Sequence, residues 1–138
     1  MPIREALLRI GASYFSAVLA MTALFLLETV FYAGEWRGLG NAFLPYFLIS
    51  AAAAIPVFSL VGVPYLFGGY QRFGKNKVLA FVLGGGGLGA LSATLVVFPL
   101  RMSNHATIFF ALAGFVAGAV SSFVWAKISK RAQDTADA

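Results

Sequence analysis

The chain has 138 residues, of which 60% are apolar and only 11% charged; that is enough for one domain and too apolar for an ordinary soluble one. The net charge of +5 lies between the apolar runs and not in a basic groove with interleaved aromatics, which excludes nucleic-acid binding. With no cysteine, disulfides, thiolate metal sites and cysteine nucleophiles are excluded as well.

Four apolar runs, about 10–31, 42–67, 78–100 and 106–125, organise the sequence. Each reaches the roughly 20 residues needed to cross a hydrocarbon core about 30 Å thick. The expected fold is therefore an all-α membrane protein: a four-helix transmembrane bundle forming a single domain, with a short polar tail at 132–138. Arg4 and Arg9 ahead of the first run imitate a signal peptide. The run is longer than an h-region and no small-x-small cleavage site follows it, so the first helix is expected to be retained.

Residues 3–10 form an expected interfacial lead-in. Glu5 precedes Arg9 by four residues, the favourable order for a helical ion pair, with Leu7, Leu8 and Ile10 toward lipid and Arg4 and Arg9 toward water. In the first run, Glu28 is the ionisable residue clearly inside an apolar segment. Intramembrane charge is costly, so Glu28 is a candidate proton or ion site, with an interfacial or packing role as the alternative. Arg101 and His105 are expected at the same end, where the three can form a polar cluster. His105 is also a solvated loop residue by position, and one His with one Glu supplies too few ligands for zinc.

The second run opens near Asn41, an expected helix N-cap, and contains Pro56 and Pro64. Each proline removes an N–H donor and crowds the carbonyl four residues earlier, so helix kinks are expected at both. Ser50 and Ser59 are the nearby side chains able to satisfy the freed groups near Ala52 and Leu60. In the third run Gly84, Gly86 and Gly89 fit G-x-G-x-x-G literally, but that motif needs a preceding strand and a soluble helix, so the match carries no nucleotide chemistry. Gly85, Gly89 and Ala93 repeat every four residues and form a smooth face. Gly114, Gly118 and Ser122 do the same in the fourth run, whose N-cap is expected at Ser103 or Asn104. These faces predict close packing of the third and fourth helices, on each other or across an oligomer interface.

Charge sets the expected orientation. Arg4, Arg9, Arg72, Lys75, Lys77, Lys127, Lys130 and Arg131 share one side of a four-span chain, against Arg37 and Arg101 on the other. Lys and Arg resist translocation, so both termini are expected in the cytoplasm. Tyr32, Trp36, Phe43 and Tyr46 at the outer ends, and Tyr65, Phe67, Tyr70, Phe73 and Trp125 at the inner ends, are expected as interfacial belts.

Size and a first-helix glutamate are shared with small multidrug exporters, and size and glycine content with fluoride channels. The later-helix motif residues of the exporters and a Thr-Phe-Ser-Thr-Phe-like segment are both missing, so no family follows. The sequence offers no catalytic, cofactor or metal constellation. The leading functional reading is a non-enzymatic integral membrane accessory or scaffold subunit that associates through its small-residue helix faces. Its partners are the lipid bilayer and either further copies of itself or a larger membrane protein. The alternative is a small homo-oligomeric transporter or channel with Glu28 as its ionisable site. Compact size and strong charge bias fit a bacterial inner membrane.

Overall fold

A computed structural model describes residues 3–34, 36–74 and 77–136. Among these residues every regular element is helical, and four helical segments are long and apolar enough to cross a membrane: Ile3–Tyr32, Leu39–Phe73, Val78–Leu100 and Asn104–Asp134. The first is helix α1 (Ile3–Ala33). The second is composite: α2 (Leu39–Val57), a π-helical turn Phe58–Gly62, α3 (Val63–Gly69) and a second π-helical turn Tyr70–Gly74. The third is α4 (Val78–Val97) with a 3-10 turn Phe98–Leu100, and the fourth is α5 (Asn104–Ala136).

Local chemistry sets the ends. Gly34 stops α1 in the left-handed region (φ 67°), and its N–H donates to the Val30 carbonyl oxygen at 2.9 Å. Gly38, also left-handed, starts α2 at Leu39. Asn41 is therefore already inside the first turn, its N–H donating to the Gly38 carbonyl oxygen, and is not the cap expected from the sequence. Pro99 lacks an N–H and tightens the end of α4 into the 3-10 turn, after which Arg101 adopts a left-handed conformation (φ 47°). Of the two cap candidates for α5, Ser103 takes the role: its Oγ accepts the Ala106 N–H at 3.3 Å. Residues 132–136 of the expected polar tail continue α5, and 137–138 lie outside the described residues.

The π turn of the second span follows directly from its prolines. Pro64 has no N–H to offer Leu60, and the Val63 N–H reaches back to the Phe58 carbonyl oxygen, an i→i−5 bond. Ser59 is exposed, and the buried Ser50 Oγ has no hydrogen-bond partner. The nearest side-chain support is instead Tyr14 of α1, whose hydroxyl donates to the Ala51 carbonyl oxygen at 2.6 Å.

The helices lie in the order second span, α1, α5, α4, with the closest association between α4 and α5. Arg9 of α1 donates to Ser129 Oγ of α5 at 3.0 Å, so the start of α1 and the end of α5 share one end of the bundle. Arg9 also pairs with Glu5. It is turned into the bundle, where these partners hold it, and does not face water as the lead-in pattern implied. Above it sits a compact core of Leu66, Phe81, Trp125 and Ala126, with Ile10 and Phe67 packed against it. Trp125 is only 2% exposed and meets Phe67 edge-on at 4.8 Å. Of the aromatics expected at the inner ends, Trp125 is core, Tyr65, Phe67 and Tyr70 pack against it half-buried, and Phe73 is exposed; at the far end Tyr32, Trp36 and Phe43 are exposed while Tyr46 pairs with Thr29.

Candidate functional site

The α4–α5 seam is built from positions without side chains. A Cβ on Gly89 would strike the Gly114 carbonyl, one on Gly114 the Gly89 carbonyl, and one on Gly118 the Gly85 carbonyl. At Gly85 it would meet Ser122 Oγ, and at Gly114 it would lie 2.7 Å from Ala93 Cβ. Gly85, Gly89 and Ala93 thus face Gly114, Gly118 and Ser122 within one chain, backbone against backbone. The two small-residue faces pack on each other, and the same six residues also line the open cleft beside them.

The open feature lies beside this seam. The second span packs along α1 through α2 but meets α4 mainly near the basic end, through the π turns and α3. Only 6% of its apolar window is buried, against 22–28% in the other three spans. Between it and α4 a cleft of about 160 Å³ remains, with Ala53, Val57 and Val61 on one lip and Leu88, Ser92 and Val96 on the other. Ala17 of α1 and Ala117 of α5 line it as well, and none of its lining residues is charged. A polar detail is Ser121, which is buried and whose Oγ has no hydrogen-bond partner. Pro56 sits in the last turn of α2 and Pro64 in the first of α3, bracketing the π turn that carries Val61. The cleft brings together residues the sequence marks, the small-residue faces of α4 and α5, and others it does not. Ala53, Val61 and Ser121 carry no signal apart from their apolar or small character.

The far-end cluster is a separate place. Glu28 Oε1 lies 3.6 Å from His105 Nε2, and the Tyr32 hydroxyl lies 2.6 Å from the same nitrogen. Tyr32 also meets the imidazole edge-on at 5.5 Å. The shorter contact makes Tyr32 the principal partner of His105, with Glu28 beyond hydrogen-bond reach. Among the described residues Arg101 makes no ion pair with either group, so the cluster is Glu28, His105 and Tyr32. His105 is well exposed and Glu28 partly so, which places the pair at the rim of the bundle. Among the described residues no three His, Asp or Glu side chains gather as metal ligands. Lys75 of the basic set lies outside the described residues.

Comparison with protein-family models, with curated proteins and with solved structures finds no match.

Proposed function

We propose that this chain is a non-enzymatic accessory or scaffold subunit of a membrane assembly, resident in a bacterial inner membrane with both termini in the cytoplasm. The cleft beside the second span carries the reading. A span that packs along α1 but stands off α4, with an unfilled apolar groove along its edge, is an arrangement suited to receive a transmembrane helix from another protein. The groove is far narrower than a helix, whose diameter is 10–12 Å. Its volume is of the order of a cavity that accepts a benzene ring, about 150 Å³. The partner helix therefore lies across the mouth and inserts one large apolar side chain. Association runs through the cleft between the second span and α4, where the packed small-residue faces of α4 and α5 still reach the opening.

The transporter or channel alternative draws on Glu28. That carboxylate stands at the rim, and the cleft offers no charged group along the membrane thickness, which favours the accessory role. Ala53→Phe fills the groove from its exposed lip, whereas Ala52→Phe adds the same ring one position away and outside the lining. Quantitative co-purification with the partner is expected to collapse for Ala53→Phe and to persist for Ala52→Phe. Proton-coupled flux in proteoliposomes of the purified chain that disappears in Glu28→Gln would overturn the accessory reading.

A further inference from the structure

The basic end carries a second concavity, unrelated to the cleft. It measures about 290 Å³ and is lined by Lys127, Lys130, Gln133 and Asp134 of α5 above Phe123, Val78 and Tyr70. Phe123, Lys127, Lys130 and Asp134 recur at helical spacing on one face of α5, so the apolar wall passes into the charged one along the axis. The Lys127 ammonium lies over the Phe123 ring, 5.5 Å from its centroid, which orders the side chain against the pocket wall. Ala126, itself buried, lines the pocket as well, and the buried Trp125 fixes the same turn against the core.

We infer that this pocket binds the headgroup of an anionic glycerophospholipid, of the phosphatidylglycerol type. Lys127 and Lys130 take the phosphodiester, Asp134 and Gln133 accept and donate to the headgroup hydroxyls, and Phe123 and Val78 receive the start of an acyl chain. Each part of the wall has a matching part of the lipid at the matching depth: apolar toward the membrane core, cationic at the phosphate level, acceptor-bearing beyond it. Asp134 is what separates this site from a plain basic patch, because it disfavours a bare phosphate and favours a hydroxyl-bearing headgroup. Basic pockets between membrane helices on the cytoplasmic side are established places for acidic headgroups.

The test is native mass spectrometry of the whole chain, delipidated and then offered phosphatidylglycerol or phosphatidylcholine. Phosphatidylglycerol is expected to be retained as one bound molecule and phosphatidylcholine not. Lys127→Gln/Lys130→Gln is expected to weaken retention about 30-fold, the usual weight of two juxtamembrane lysines. Arg4→Gln/Arg72→Gln removes the same charge from the same end without touching the pocket and is expected to leave retention unchanged. Equal losses in the two double variants would reduce the effect to a diffuse field and overturn the site. Retention of both lipids alike, or displacement of the lipid by excess inorganic phosphate, would overturn the ligand assignment.

Discussion

The four consecutive glycines of α4 point to different neighbours, because successive residues turn by about 100° around a helix. A Cβ on Gly84 would meet the Tyr65 hydroxyl, on Gly85 the α5 seam and on Gly86 the Phe115 ring; at Gly87 nothing lies within 4 Å. Gly89→Ala drives a methyl into the Gly114 backbone, which cannot yield as a side chain can. It is expected to destabilise the protein by about 1–3 kcal/mol. Gly87→Ala removes only backbone freedom and is expected to be neutral or mildly stabilising. Reversible unfolding in mixed micelles, followed by Trp fluorescence, separates the two; equal losses would mean that the seam is not what the glycines serve. The i,i+4 spacing of Gly85, Gly89 and Ala93 made the seam legible in the sequence. Which glycine of the run faces Tyr65 or Phe115 was not, because helix rotation about its axis is set by the neighbours. Arg9 shows the same limit: its pairing with Glu5 follows from spacing, but its turn toward Ser129 depends on a residue 120 positions away.

At the level of elements, the four spans were legible because length and hydropathy are local. The shape of the second was legible only in part. Pro56 and Pro64 announce a disturbance, but whether it becomes a bend, a break or a widened turn depends on what can satisfy the backbone around it. Here the surplus residue is absorbed as a π turn at Phe58–Gly62. Inserting one Ala after Ser59 adds a residue beyond the one the π turn absorbs and rotates everything beyond it by about 100°. Leu66 and Tyr65 would swing away from Trp125 and Phe81, the contacts that tie this span to the bundle. The insertion is expected to red-shift the Trp emission and to lower stability by several kcal/mol, as the loss of a buried core residue does. An unchanged spectrum would show that the π turn does not set the phase of α3. Caps followed a similar course. Ser103 was readable as a cap, whereas the start of α2 was set by the left-handed Gly38 in place of Asn41.

For the whole molecule, the order of helices leaves a bundle that closes at its basic end and stays open along one side. The start of α1 and the end of α5 share the basic end, as the Arg9–Ser129 bond requires, and the charge bias supports the proposal that this end faces the cytoplasm. The cysteine-free chain makes this testable by single-cysteine labelling in intact cells. Arg37→Cys and Arg101→Cys are expected to react with an impermeant maleimide from outside, and Lys77→Cys and Lys130→Cys only after lysis; the reverse pattern would invert the orientation. The openness itself could not be read from the sequence, since the residues along it are small or aliphatic like those of the closed seam. With the α4 and α5 faces packed on each other, the cleft beside the second span is where the proposed partner would enter.

The most direct measurement of that claim is site-specific photo-cross-linking in native membranes. The photoreactive residue would be placed in turn at Ala53, Val61 and Val96 on the cleft lips, and at Leu91 and Ile108 on exposed positions outside the lining. The account predicts that the three lip positions cross-link to the same membrane protein, distinct from this chain, and that the two outer positions do not. Adducts only with lipid or with further copies of this chain, or equal yields from all five positions, would contradict it.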